Sequence, residues 1–369
     1  MSKLHLALVG GQPAPVYNGI LEDHPDQVIF ICSDSTKQQV ENISRVVGQQ
    51  MSVSTHEVII DPVNLENIHQ HICNLAHQIT DEDTVTINLS GGTKLWDILF
   101  YEQFYNKEYV NCIFIDQNNF VWDLKTRKSH QLKHRLSLDE TFGLNGIKVR
   151  QQTNLKDYTQ EDQKCEELIR KIRKAKTSEF NEITHNLSDN LSEYSSNDCI
   201  ISWDKNRQSF SYRFPLKNHL LEGELKSPHI RKLLLNTGWF EYEVAHFMFQ
   251  WKRAKQIWLN TELTQWDNER TLNEIDIIVE TGEKLLFVEC KTQVYDATDV
   301  DKFNNAVKSY GGVASKRIFF TDVPMKPAAA KKCDQAGILY FSMMTLEGDE
   351  EKQKNFFKLL DQEMQEINK

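Results

Sequence analysis

The first 145 residues alternate between short apolar, β-branched runs and longer segments with helical spacing. The runs predict buried strands at Leu4–Val9, Val28–Cys32, Val58–Ile60, Val85–Leu89 and Val110–Ile115. Helical spacing of apolar residues is found between them at Lys37–Gln50, Leu65–Gln78 and Leu95–Tyr105. A parallel strand pair needs a crossover connection, and a helix usually provides it. The pattern therefore predicts a doubly wound α/β domain over residues 1–145.

Paired glycines follow two of these strands. Gly10-Gly11-Gln12-Pro13 comes after the first strand, and Ser90-Gly91-Gly92-Thr93-Lys94 lies between a strand and a helix. Glycine lets backbone approach a ligand closely, and amides at a helix N-terminus can hold a phosphate. Neither loop is a Walker A or GxGxxG sequence, so a tight strand-to-helix turn is the alternative interpretation. Two such loops at one sheet edge favour a phosphate-binding site.

Two further regions follow. Residues 146–226 combine a charged helix, a segment rich in serine and asparagine and a hairpin pattern, which we interpret as a connector subdomain. From residue 227 the alternation of helices and strands resumes and continues to residue 369. We expect this last region to be a second α/β domain.

Residues 273–292 carry the strongest chemical signal. Two apolar runs flank a turn with Gly282, which predicts a β-hairpin. Glu289 and Lys291 are two residues apart, so both side chains project to one face of their strand. Asp276 lies on the first strand between two isoleucines that point the other way. The hairpin is therefore expected to bring Asp276, Glu289 and Lys291 together.

Two buried carboxylates are costly without a positive partner, and carboxylate oxygens suit Mg²⁺ or Mn²⁺. We predict a metal site made by Asp276, Glu289 and the carbonyl of Cys290. A metal there would activate water and neutralise phosphate charge, and Lys291 would stabilise the transition state. A solvated hairpin decorated with Glu–Lys pairs is the alternative interpretation.

Charge and cysteine content exclude several classes of protein. The chain has 369 residues and a formal net charge of −10, of which −8 falls in residues 1–145, zero in 146–225 and −2 in the remainder. This balance excludes a protein that holds nucleic acid permanently by bulk charge, but it permits a local basic groove. Seven scattered cysteines without a CxxC pair indicate reduced thiols in the cytoplasm. No apolar stretch approaches the ~18 residues that span a bilayer, so we expect no membrane partner.

The spacing D-x12-E-x-K from Asp276 to Lys291 resembles the PD-(D/E)xK nuclease superfamily. A helix with the sequence GWFEY at residues 238–242 precedes the hairpin, and Glu241 would be the additional acid of the family. Ile275 stands where the named motif has proline. Other acids could take the role of Glu241, namely Glu243, Glu262 and Glu274.

Over nearly its whole length, the chain resembles type III CRISPR ancillary nucleases with an N-terminal CRISPR-associated Rossmann fold (CARF) sensor. The segments VGGQPAPVYNGI, FICSDST, INLSGGTK and GWFE…EID…ECKT occur in the order of that family. The resemblance implies a Rossmann-like CARF domain followed by a restriction-endonuclease-like domain. It also implies a homodimer that binds a cyclic oligoadenylate, with cyclic tetra-adenylate expected, and then cleaves DNA or RNA that is single-stranded or nicked.

By the same resemblance, Asp276, Glu289, Lys291 and Glu241 would cleave phosphodiesters with a metal ion. The residues expected to bind the activator are Gly10, Gly11, Gln12, Pro13, Ser33, Ser90, Gly91, Gly92, Thr93 and Lys94. Two other hypotheses remain open at this point. One is a constitutive restriction- or repair-type nuclease with a structural front domain, and the other is a nucleotide sensor with an inactive hairpin domain.

Overall fold

A computed structural model describes residues 2–80, 84–187, 193–204, 207–266, 272–282, 284–294, 298–310 and 315–365. The chain divides into two compact units. The first contains residues 1–148 together with 265–269, and the second contains residues 149–264 and 270–369.

The first unit is built on a seven-stranded sheet. Its strands are β1 (Lys3–Leu8), β2 (Gln27–Cys32), β3 (Ser54–Ile59), β4 (Thr84–Asn88), β5 (Val110–Ile115), β6 (Phe120–Asp123) and β7 (Lys128–Gln131). Their order is β3-β2-β1-β4-β5-β6-β7, with β1 to β5 parallel and the last two strands antiparallel. The helices are α1 (Pro13–Asp23), α2 (Lys37–Gln50), α3 (Leu65–Gln78), α4 (Lys94–Phe104) and α5 (Leu138–Leu144).

Alternate residues of β1 face opposite sides of this sheet. Leu4, Leu6 and Leu8 pack with the buried faces of α3 and α4, whereas Ala7 packs with α1 and α2. Side chains in a strand alternate with period two, so one apolar strand can supply two cores. The predicted doubly wound, Rossmann-like α/β domain is confirmed.

Two parts of the first unit differ from the sequence predictions. The loop expected after β1 is short, because helix α1 already begins at Pro13. Proline is favoured in the first turn of a helix, where its missing N–H would have no intrahelical partner. The second difference is the antiparallel pair β6 and β7, whose short strands extend the sheet beyond the last predicted strand.

Trp266 belongs to the first unit although it lies far along the chain. Its ring lies 5.0 Å from the guanidinium carbon of Arg45 and 5.9 Å from the ammonium nitrogen of Lys148. Cations over a tryptophan face are attracted by the ring quadrupole, which helps to hold this segment in the unit.

The second unit contains two sheets. Its strands are β8 (Ile147–Asn154), β9 (Glu193–Ser196), β10 (Cys199–Asp204), β11 (Ser209–Pro215), β12 (Leu220–Lys226), β13 (Gln256–Gln265), β14 (Asn273–Glu280), β15 (Leu285–Lys291), β16 (Lys316–Thr321) and β17 (Leu339–Ser342). Strands β9 to β12 form an antiparallel sheet. The other sheet has the order β17-β16-β15-β14-β13-β8.

Helices surround these sheets. They are α6 (Gln160–Ala175), α7 (Thr177–Asn186), α8 (Ile230–Leu234), α9 (Gly238–Phe249), α10 (Thr298–Tyr310), α11 (Pro327–Ala336), α12 (Met343–Leu346) and α13 (Glu350–Gln365). One hydrophobic core joins Ile169 and Phe214 of the expected connector to Phe240, Val288 and Phe320 of the expected nuclease region. The predicted boundary near residue 226 thus falls between segments that share a core.

Two glutamates with little solvent exposure lie together in this unit. Glu166 of α6 and Glu243 of α9 both contact Arg170, with nitrogen–oxygen distances of 3.6 and 3.2 Å. Burial, and then repulsion from Glu243, raises the pKa of Glu166 to about 8. Burial also raises the pKa of Glu243 to about 7. Glu166 therefore carries a proton in the folded protein at neutral pH, whereas it would be ionised in the unfolded chain.

This proton makes stability depend on pH. The folded state binds this proton more tightly than the unfolded state does. The stabilisation that results is therefore complete below pH 4.5 and is lost as the pH rises toward 8. Between pH 5.5 and 8.5, we expect the free energy of unfolding of Glu166→Gln to rise by about 3 kcal/mol relative to that of the wild type. Denaturant unfolding at several pH values measures this difference. The exposed Glu351→Gln on helix α13 is the control, and parallel curves for wild type and Glu166→Gln would contradict the expectation.

All seven cysteines lie in the described part of the chain and are free thiols. Six are buried, and Cys73 on α3 is partly exposed. Among the residues that the structure describes, no helix is long and apolar enough to cross a membrane.

Candidate active site and glycine loops

The antiparallel pair β14–β15 positions the predicted acidic residues. Ile277 pairs with Val288 in this hairpin. The next residues along the two strands are Asp276 and Glu289, and directly opposite residues of an antiparallel pair project to the same face. Lys291, two residues beyond Glu289, projects to that face as well.

The structure brings these three side chains together. The Lys291 ammonium nitrogen lies 2.8 Å from Oε1 of Glu289 and 4.0 Å from Oδ2 of Asp276. The backbone N–H of Cys290 donates to the same Asp276 oxygen at 2.7 Å. Asp276 therefore satisfies a backbone donor of β15 with its side chain and is held against that strand.

Burial sets the electrostatics of this cluster. The side chains of Asp276 and Glu289 are only 14% and 15% exposed. Burial, together with the charges of Glu289 and Glu241, raises the pKa of Asp276 well above its ordinary value. Burial lowers the pKa of Lys291, but the Asp276 and Glu289 carboxylates outweigh burial and raise it overall. Lys291 is thus a permanent cation beside an acid that binds a proton readily.

Glu241 reaches the site from helix α9. Glu241 is 8% exposed, and burial raises the pKa of its carboxyl to about 7. The side-chain amide of Asn260 donates to Oε2 of Glu241 at 2.5 Å. Two of the alternative acids are engaged elsewhere, since Glu243 pairs with Arg170 and Glu262 lies 3.7 Å from Arg150. Glu274, the third, raises the pKa of Glu241 by its charge.

The donor chemistry of the cluster fits a hard divalent cation. Within the described residues, no group of three or more His, Cys, Asp and Glu side chains is arranged to hold a metal. Magnesium, however, is commonly held by one or two carboxylates and completed by water and substrate phosphates. A cation here would also relieve the repulsion that raises the pKa of Asp276. Coordination by Asp276, Glu289 and the Cys290 carbonyl stays a prediction.

In the first unit, the two glycine loops lie against each other. They follow β1 and β4, which are neighbouring parallel strands on either side of the point where the strand order reverses. A Cβ added to Gly10 would lie 2.8 Å from the backbone nitrogen of Gly92, and one added to Gly91 would lie 2.2 Å from the carbonyl oxygen of Leu8. Gly92 has a φ of 76°. The close approach of the two loops therefore requires glycine.

Two helices begin directly after these glycine loops. Pro13 begins α1 directly after the first loop, with Gln12 as its N-cap residue. Thr93 caps α4 by accepting a hydrogen bond from the Trp96 N–H at 3.2 Å, and Lys94 is exposed in the first turn. Open sheets of this type bind ligands at the carboxyl ends of their strands, where such a reversal of strand order occurs. Amides at helix N-termini and the exposed lysine suit an anionic ligand there.

Two predicted ligand residues also have internal roles. The Ser90 hydroxyl oxygen accepts a hydrogen bond from the Ile115 N–H at 2.7 Å, which ties the second loop to β5. The buried Ser33 follows β2, and its hydroxyl lies 2.9 Å from that of Ser35. Their roles in ligand binding stay predictions.

Sequence reasoning missed a polar residue that supports both loops. Asn88 is fully buried at the end of β4. Its amide donates to the Pro15 carbonyl at 3.2 Å, and its side-chain oxygen accepts from the Ser90 N–H at 3.0 Å. The available signal was an asparagine that interrupts an apolar strand directly before the Ser90–Lys94 loop.

Family comparison decides the identity of both regions. Residues 5–141 match the family described as the Card1 CARF domain. Residues 229–312 match the Card1-like endonuclease domain. The chain therefore combines a Card1-type CARF domain with a Card1-like endonuclease domain. The predicted resemblance to CARF-containing nucleases is therefore confirmed, and both sites described above lie within the matched regions.

Solved structures share this architecture. Can2 from Sulfobacillus thermosulfidooxidans, in complex with cyclic tetra-adenylate, is 16% identical with a TM-score of 0.72, covering 99% of this chain and 100% of its own. Protein VC1899 from Vibrio cholerae is 16% identical with a TM-score of 0.70, covering 97% of each chain. A type III CRISPR defence DNA nuclease activated by cyclic oligoadenylate is also 16% identical, with a TM-score of 0.51 over 87% of this chain and 45% of its own. No curated protein sequence matches the chain.

Proposed function

We propose that this protein is activated by cyclic tetra-adenylate and cleaves nucleic acid with a divalent metal ion in type III CRISPR defence. The observation that carries the proposal is the cluster of Asp276, Glu289 and Lys291, in which the lysine lies 2.8 and 4.0 Å from the two carboxylates. The family matches and the fold shared with cyclic tetra-adenylate-bound Can2 support the activator.

The chemistry follows from the charges in the cluster. Asp276 and Glu289 would hold Mg²⁺ or Mn²⁺, which when bound lowers the pKa of water and neutralises phosphate charge. Lys291 stays protonated, so it can stabilise the negative charge that grows on the phosphate during cleavage. Glu241 adds a third acid that can orient water or take up a proton near neutral pH, since its pKa is about 7.

The sensor chemistry is assigned to the two glycine loops. Their backbone amides and Lys94 would hold the phosphates of the cyclic oligoadenylate. A ring with twofold symmetry suits a homodimer, since two copies of the same loops can bind its two halves. Such a ligand activates the enzyme only if it binds the active arrangement of the dimer more tightly than the inactive one.

The substrate is proposed to be single-stranded DNA or RNA, bound in the cytoplasm only during activation. The net charge of −10 supports this interpretation, because an acidic protein does not retain nucleic acid by bulk charge. The residues from 226 onward are nearly balanced in charge, so the negative charge is concentrated in the sensor region.

A cleavage assay tests the proposal. Single-stranded DNA, supercoiled DNA and RNA are incubated with Mg²⁺ or Mn²⁺, with and without cyclic tetra-adenylate or cyclic hexa-adenylate. We expect cleavage only with cyclic tetra-adenylate and metal, and no cleavage after addition of a chelator. Equal cleavage without activator would instead support a constitutive restriction- or repair-type nuclease, and no cleavage under any condition would contradict both.

A further inference from the structure

Asn260 has an unusual backbone conformation within strand β13. Its φ is 50°, in the left-handed region. The residues on either side keep regular antiparallel pairing with β14, since Leu259 pairs with Ile277 and Thr261 with Ile275. The strand therefore continues in register on both sides of a single strained residue.

Left-handed backbone inside a strand is costly for a residue with a side chain, although asparagine tolerates it better than most. Such strain persists where the surroundings fix it, and it concentrates at functional sites. The register places Asp276 opposite Asn260, because Asp276 lies between Ile275 and Ile277. The strained residue therefore lies beside the candidate catalytic cluster.

The side chain of Asn260 faces a second member of the same cluster. Its amide nitrogen donates to Oε2 of Glu241 at 2.5 Å. An ionised carboxylate only accepts hydrogen bonds, so this donation from the amide nitrogen favours the ionised form of Glu241. Glu241 is buried on α9, and burial raises its pKa. The hydrogen bond from Asn260 acts in the opposite direction and lowers it.

We propose that Asn260 is a positioning residue that holds the Glu241 carboxylate toward the Asp276–Glu289 pair. The left-handed backbone and the amide act together, because the backbone directs the short side chain from β13 to α9. This inference rests on the proposed nuclease function. It adds a residue outside the D-x12-E-x-K motif to the machinery of cleavage.

Two substitutions separate the backbone from the amide. Asn260→Gly keeps the left-handed conformation at no steric cost but removes the amide. Asn260→Asp keeps the size and the tolerance for this conformation, but it places a carboxylate against Glu241. We expect kcat to fall about tenfold to a hundredfold in Asn260→Gly, the range for a lost hydrogen bond to a charged group. The kcat of Asn260→Asp should fall by at least the same factor, and KM should be unchanged in both variants.

A double-mutant cycle with Glu241→Gln tests whether Asn260 acts through Glu241. Asn260→Gly should have no further effect on kcat in the Glu241→Gln background, since residues that act as a unit are not additive. Wild-type kcat in Asn260→Asp, or full additivity in the double variant, would overturn the proposal. Thermal melting of each variant identifies loss of activity by unfolding.

This result is distinguishable from failure of the proposed function. If the wild-type protein does not cleave, or if Asp276→Asn leaves cleavage unchanged, the proposed function itself is wrong. If the wild type cleaves and Asp276→Asn does not, the Asn260 variants test the positioning role alone.

Discussion

Asp276→Asn is expected to reduce activated cleavage on the order of a thousandfold while leaving the affinity for cyclic tetra-adenylate unchanged. Asparagine has nearly the same shape and can still accept the Cys290 N–H through its side-chain oxygen. The variant therefore loses the negative charge that would hold a metal ion and face Lys291. Initial cleavage rates measure the loss, and calorimetry with the cyclic nucleotide measures its affinity.

Glu289→Gln should cause a loss of similar size, and the double variant should be little worse than either single one, because the two carboxylates act on one ion. The exposed Asp334→Asn in the same unit is the matched control for removal of one negative charge. If Asp276→Asn kept more than a tenth of the wild-type rate, the catalytic assignment of the cluster would be wrong.

Gly91→Ala is expected to weaken activation by cyclic tetra-adenylate about a hundredfold without removing the catalytic cluster. The added methyl group would lie 2.2 Å from the Leu8 carbonyl oxygen, a backbone atom that cannot turn away. The loop after β4 must therefore move from β1, and the amides that would hold the ligand move with it. We expect affinity for the cyclic nucleotide to fall about a hundredfold, which corresponds to about 2.7 kcal/mol.

Gly48→Ala is the matched control, because a Cβ at Gly48 of α2 meets no atom within 4 Å. It should leave binding and activation unchanged and add slightly to helix stability. Calorimetry and melting curves separate lost binding from lost folding in the Gly91 variant. Wild-type affinity in folded Gly91→Ala would show that the second glycine loop does not form the ligand site.

The local spacing of apolar and polar residues was sufficient to predict most of the fold. The helical spacing over Lys37–Gln50 and Leu65–Gln78 predicts the observed bounds of α2 and α3. The apolar face of an amphipathic helix is visible in the spacing of its own residues. The same holds for the β14–β15 hairpin, where alternation alone indicates that Glu289 and Lys291 share a face.

Other features depend on contacts between residues that are distant in sequence, and local spacing does not reveal these contacts. Helix α1 was not predicted because two glycines precede it and two prolines lie in its first turn, and these residue types are also typical of loops. Asn260 reads as an ordinary polar residue in a strand, and only its φ of 50° and its bond to Glu241 distinguish it. The shared core of residues 146–226 with the nuclease region likewise arises from tertiary packing.

The distribution of thiols makes the protein convenient for optical experiments. Because Cys73 alone among the seven cysteines is partly exposed, a maleimide dye should attach mainly at one place on each folded chain. Two subunits in a dimer would then carry two identical fluorophores, both on the sensor unit. Energy transfer between them would report subunit association and its response to the cyclic nucleotide in the native sequence, before any cysteine is replaced.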